Sequence, residues 1–168
     1  MGMDWNMSKR GFLTRVLGGG AAGLAAASCG VRAEAETRER FEVNLTPAQW
    51  KKRLSPAQYR VLREAATERA GSSPLDKEHR RGIFACAGCK LPVYLSSAKF
   101  DSGTGWPSFT APIRGAVRTK PDRGWFGTQT EVHCRRCGGH LGHVFDDGPR
   151  PTGKRYCMNG VALTFIPA

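Results

Sequence analysis

The chain has 168 residues, 40% hydrophobic and 24% charged, which suits one domain with an appendage and excludes a wholly disordered or membrane-embedded chain. Lys and Arg number 26 against 14 Asp and Glu, a formal charge of +12 that fits nucleic acid, an anionic membrane surface or a merely solvated basic face. Aromatic and basic residues are not interleaved in the manner of base-stacking surfaces, so no nucleic acid partner is expected and the solvated face is preferred.

Residues 1–35 read as an export leader and linker, and residues 36–168 as the folded domain. Lys9, Arg10 and Arg15 flank or precede the Gly/Ala-rich apolar run from Val16 to Ala27, which is 12 residues long. A membrane-spanning helix needs roughly 20. A basic start, a short apolar run and small residues form the order of a secretory leader. Ser8-Lys9-Arg10-Gly11-Phe12-Leu13 resembles a twin-arginine export signal with Lys in the first Arg position. Three fates of this segment stay open. Ala26-Ala27-Ser28-Cys29-Gly30 resembles a lipobox, which would make Cys29 a lipid anchor; Ala33-Glu34-Ala35 suits ordinary signal peptidase; or the tail is retained. The first two send the protein to the periplasm or cell envelope.

Thr46 followed by Pro47 predicts a short helix through Leu54, and Ser55-Pro56 repeats that start signal. In the second helix Tyr59 and Leu62 are expected to pack inward. Gly71-Ser72-Ser73-Pro74 closes the helical part. Beyond Arg81, short apolar runs predict strands at Gly82–Cys86, Pro92–Leu95, Trp125–Gly127, Glu131–Cys134, His143–Phe145 and Val161–Ile166. With no βαβ alternation, the expected fold is mainly β: two antiparallel sheets forming a small barrel or sandwich, with short N-terminal helices.

Cys86-Ala87-Gly88-Cys89 and Cys134-Arg135-Arg136-Cys137 each hold two sulfurs on one turn. Two such knuckles brought together make a tetrahedral sulfur site of the kind structural zinc takes. Gly88 and Gly138 are read as letting backbone amides approach the sulfurs. The 44 residues between Cys89 and Cys134 exceed the spacing of a single ribbon, so tertiary folding must unite the knuckles. Iron at the same site and two disulfides are the alternatives. A closed set of four thiolates leaves no position for water, which excludes a zinc hydrolase.

Cys157 stands apart, in Arg155-Tyr156-Cys157-Met158-Asn159. On a strand, Arg155, Cys157 and Asn159 would share a face, and the guanidinium would favour the thiolate. His140 and His143 cannot share a face of a regular strand, but Gly142 between them permits a turn that aims both at one point. An imidazole near a thiol can move a proton at neutral pH. Taken singly, a buried Cys and a zinc-adjacent His pair are equally ordinary structural features.

Taken together, three strings resemble the B-type methionine sulfoxide reductases. They are Lys99-Phe100-Asp101-Ser102-Gly103-Thr104-Gly105-Trp106-Pro107-Ser108-Phe109, His140 through Phe145 followed by Asp147-Gly148-Pro149, and Arg155 through Asn159 with Leu163 and Phe165. The resemblance implies reduction of methionine-R-sulfoxide, mainly in peptides or proteins, to methionine. Cys157 is then the nucleophile and passes through a sulfenic acid. His140, His143 and Asn159 hold the substrate oxygen and manage its proton, and Trp106 is the wall for the substrate methyl. Cys86, Cys89, Cys134 and Cys137 hold one structural zinc. A thioredoxin-like protein is the implied reductant, and a monomer is expected. The chain departs from many relatives at Thr104, where they carry a resolving Cys; an intramolecular disulfide is therefore not expected in turnover. The competing class is a non-catalytic zinc-ribbon module that binds polyanions through its basic surface.

Overall fold

A computed structural model describes residues 39–124 and 127–168. The expected leader, including the twin-arginine-like run and Cys29, lies outside the described residues, as do Trp125 and Phe126 of one expected strand. Two short helices lead. Helix α1 spans Pro47–Arg53 and α2 spans Pro56–Glu64. Each starts with a capping box: Thr46 with Gln49, and Ser55 with Gln58, both with Pro at the first helical position. Trp50 of α1 and Val61 and Leu62 of α2 are buried, and Tyr59 packs against the same core from a half-buried position. The left-handed Ala65 ends α2.

Nine strands follow among the described residues: β1 Gly82–Cys86, β2 Pro92–Leu95, β3 Lys99–Phe100, β4 Ser108–Phe109, β5 Val117–Gly124, β6 Gly127–Cys134, β7 His140–Phe145, β8 Arg155–Met158 and β9 Leu163–Pro167. They form two antiparallel sheets, one ordered β2-β1-β9 and the other β3-β4-β8-β7-β6-β5. The expected mainly-β architecture is the one observed. Strand β5 escapes sequence reading because Val117-Arg118-Thr119-Lys120-Pro121-Asp122-Arg123-Gly124 looks like a charged loop. It lies at the sheet edge, where charge is tolerated and Pro121 forfeits no interior ladder bond.

The core lies between the sheets. Tyr94 stacks on Phe109 at 4.3 Å, Phe84 meets Phe109 edge-on at 5.0 Å, and the Tyr94 hydroxyl donates to Met158 Sδ at 3.1 Å. Burial drives the Tyr94 phenol well above its ordinary pKa. Along β8 the side chains alternate: Met158 is fully buried in this core and Cys157 faces the other way. The core thus fixes the strand that carries the lone thiol. No helix among the described residues is long and apolar enough to cross a membrane.

Candidate active site and sulfur cluster

Each C-x-x-C knuckle caps a hairpin, one between β1 and β2 and the other between β6 and β7. The two turns are built alike. Lys90 N–H donates to the Cys86 carbonyl and Gly138 N–H to the Cys134 carbonyl, both at 2.8 Å. The left-handed residue of each turn is the one four places after its first cysteine: Lys90 at φ 62° and Gly138 at φ 66°. Gly88 is thus not the residue that shapes the first knuckle. It packs against Trp50, Leu62 and the Cys137 sulfur, where a methyl group would make ordinary contacts.

All four sulfurs lie within 4.8 Å of one another and are buried. Cys86 Sγ is 3.7 Å from Cys137 Sγ, and Cys89 Sγ is 3.5 Å from Cys134 Sγ. A tetrahedral ion with bonds of about 2.3 Å spaces its sulfurs about 3.8 Å apart. A disulfide requires about 2.0 Å, and the four cysteines are free. The donor set therefore fits a metal ion shared between hairpins of the two sheets.

Cys157 occupies a different place. In the larger sheet one cross-strand row runs Lys120, Glu131, His143, Cys157, Ser108, from β5 through β6, β7 and β8 to β4. Directly paired residues share a face, so this row sets His143 beside the thiol. A bulge at Leu141 supplies the second histidine. Val132 pairs with Gly142, yet His133 pairs with His140, so β7 carries one extra residue. That residue reverses the alternation and brings His140 and His143, three apart, to rings 5.3 Å from each other. Gly142 is required because a Cβ there would lie 2.1 Å from the Cys157 carbonyl oxygen.

A cleft of about 400 Å³ opens over this row, lined by Thr67, Trp106, Gln129, Gly142, His143, Phe145, Cys157 and Asn159. A larger hollow of about 660 Å³ beside α2 holds neither thiol nor imidazole. Four of the expected residues, Trp106, His143, Cys157 and Asn159, thus meet in one cleft. His140 is buried next to His143 and is not among the lining residues. Asn159 sits just past the end of β8 instead of on the strand face with Arg155 and Cys157.

Neighbouring charges hold the imidazoles. His143 Nε2 is 2.8 Å from Asp122 Oδ2. His140 Nδ1 lies 3.1 Å from Glu131 Oε1, close enough for charge attraction, although the ring does not aim at the oxygen in hydrogen-bonding geometry. Burial alone would raise the Glu131 carboxyl, but His140 and Lys120 outweigh it and hold it down to about 2. Burial also pushes the Cys157 thiol above the ordinary value of 9.0, and here it wins; the Thr104 hydroxyl and the Arg155 charge pull downward without overcoming it. The expected action of Arg155 has the right sign but insufficient size. Its guanidinium is also engaged by Asp147, at 2.8 and 2.7 Å, and lies 4.4 Å over Phe145. Thr104 Oγ1 is 3.9 Å from Cys157 Sγ and belongs to a hydroxyl chain with Ser102 and Ser108, at 2.8 and 2.7 Å.

Sequence reading missed Asp122, Glu131, Thr67 and Gln129. Asp122 lies on the unrecognised β5. Glu131 was legible only as part of a strand, and no local pattern ties it to His140.

A mainly β scaffold with a four-cysteine cluster that could hold a metal ion, and a separate thiol in a polar cleft beside an imidazole and an amide, fits the oxidoreductase class. The family profile described as SelR domain matches residues 54–167. Three similar proteins bear related names. "Peptide methionine sulfoxide reductase MsrB" of Thiobacillus denitrificans is 53% identical over 123 residues, 73% of this chain and 93% of that protein. Its namesake in Agrobacterium fabrum is 47% identical over 127 residues, 75% and 94% of the two chains. "Peptide methionine sulfoxide reductase B1, chloroplastic" of Arabidopsis thaliana is 50% identical over 131 residues, 77% and 64%. The chain belongs to the SelR family of methionine sulfoxide reductases and is an oxidoreductase acting on oxidised methionine.

Proposed function

We propose that this chain reduces the R epimer of methionine sulfoxide, mainly in peptides and proteins, with Cys157 as the nucleophile. The observation that carries the reading is the seating of Cys157 directly across from His143 in a cleft shared with Asn159 and Trp106. The sulfoxide oxygen is a hydrogen-bond acceptor and a poor leaving group. His143 and Asn159 hold it, and the histidine pair supplies its proton. The Cys157 sulfur takes the oxygen as the substrate S–O bond breaks. The substrate sulfur gains two electrons and leaves as methionine, while Cys157 loses two and becomes a sulfenic acid. Trp106 offers an apolar face to the substrate methyl, which favours one epimer. A thioredoxin-like dithiol then reduces the sulfenic acid, releasing water and a disulfide on the reductant.

The four-cysteine cluster is assigned to one zinc ion. When bound, zinc would cross-link the two hairpins; four thiolates leave no open position for substrate. Residues 1–35 are read as an export leader delivering a monomeric domain to the periplasm or cell envelope, either soluble or anchored through Cys29. Intact mass of the exported protein distinguishes those two forms.

The test of the central reading is Cys157→Ser assayed with dithiothreitol on separated epimers. The parent is expected to reduce the R epimer in strong preference to the S epimer and to give a dimedone adduct at Cys157 during turnover. The variant is expected to lose at least about 1,000-fold in rate while melting as the parent does. Undiminished reduction by the variant overturns the assignment.

A further inference from the structure

Between α2 and the 3-10 turn Pro74–Lys77, residues 65–73 run irregularly past the cleft. Thr67 of this strap lines the cleft, and the next residue, Glu68, grips both of its flanks. The Glu68 main-chain N–H donates to Asn159 Oδ1 at 2.9 Å. Its main-chain carbonyl accepts the Trp106 indole N–H at 3.1 Å. Its carboxylate accepts the N–H groups of Gly160 at 2.5 Å and Val161 at 2.9 Å, in the turn that follows β8. Further along, Gly71 N–H bonds the Gly105 carbonyl at 2.7 Å, next to Trp106. Ser73 packs so closely on Gly160 that a Cβ there would meet its Oγ at 2.0 Å.

These bonds decide the polarity of Asn159. Its Oδ1 is occupied by the Glu68 N–H, and its Nδ2 donates to the Leu141 carbonyl at 3.2 Å. The amide orientation follows from those two partners. The Nδ2 group keeps a second hydrogen, a donor of the kind a sulfoxide oxygen requires. Glu68 holds the Trp106 ring by its polar edge, through the indole N–H, a bond that does not use the ring faces.

We propose that Glu68 is a positioning residue for sulfoxide reduction: its main chain ties Trp106 to Asn159, and its carboxylate fastens that tie to the turn after the nucleophile strand. The inference rests on the reading of the cleft given above. Bonds from a carboxylate to main-chain N–H groups are charge-assisted and hold geometry well. Glu68→Ala leaves two N–H groups without their acceptor and frees the strap. Glu68→Gln keeps one acceptor oxygen for one of the two N–H groups and sets its NH2 against the other, a milder loss than the alanine.

The experiment compares kcat and KM of parent, E68A and E68Q on both epimers of a methionine-sulfoxide peptide, with the Trp106 indole N–H followed by NMR and assigned through Trp106→Phe. For E68A, kcat/KM for the R epimer is expected to fall about 10- to 100-fold, with a narrower preference over the S epimer. Its indole signal should shift and exchange faster with water. E68Q should stay within about fivefold of the parent and keep the parent signal. An E68A protein within about twofold of the parent, or one whose loss only tracks its unfolded fraction with an unmoved indole signal, overturns the proposal. A parent that reduces neither epimer removes the reductase reading, and with it the positioning role. The indole signal reports on the tie independently of activity.

Discussion

At Cys157, desolvation and charge oppose each other, and desolvation prevails. The thiolate fraction below the raised pKa grows tenfold per pH unit, so alkylation by iodoacetamide is expected to climb by about tenfold per unit from pH 7 to 9. Arg155→Ala removes a stabilising cation and drives the pKa further up. Alkylation of that variant at pH 8 should be about 3- to 10-fold slower, and an unchanged or faster rate contradicts the account. Thr104 gives a second expectation. Its hydroxyl lies 3.9 Å from the Cys157 sulfur, so Thr104→Cys puts a thiol beside it. After one equivalent of methionine-R-sulfoxide, peptide mapping of that variant should recover a disulfide between the introduced thiol and Cys157, whereas the parent yields no intramonomer disulfide.

Among the elements, β7 does the most to assemble the cleft. Its bulge turns two histidines of opposite parity toward one side, and Gly142 lets β7 approach β8. Gly142→Ala forces the strands apart. The expected loss is about 1–3 kcal/mol in thermal denaturation, with activity falling further than the unfolded fraction explains. A variant that melts and reacts like the parent would mean the approach is not needed. The helices were readable because Thr46-Pro47 and Ser55-Pro56 carry their caps locally. The bulge was not. An odd spacing with a glycine between signals only that something bends; the pairing of His133 with His140 depends on a partner strand seven residues back. Strand β5 hid for the same reason, since its place at the edge is a property of the sheet.

For the whole molecule, the sulfur cluster joins the hairpin of one sheet to that of the other, far along the chain from each other. If the cluster holds the proposed ion, removing it should therefore uncouple the sheets. Cys89→Ser, or treatment with a thiol-reactive mercurial and a chelator, is expected to release one ion per chain and lower the melting temperature by about 10 °C or more. Metal-free and metal-loaded proteins that melt together would remove the cluster from the stability account. The amino-acid order alone determined the division among the sulfurs, the helix starts, the family motifs and the mainly-β class, because each is written in residues a few positions apart. Tertiary structure alone decided that His143 lines the cleft while His140 is buried beside it, and that the Asn159 amide is oriented by Glu68 and Leu141. It also decided that Glu68 bridges the two flanks and that the Cys157 thiol is raised instead of lowered. Those properties arise from desolvation and from partners brought together across the fold, and neither is encoded in any local string.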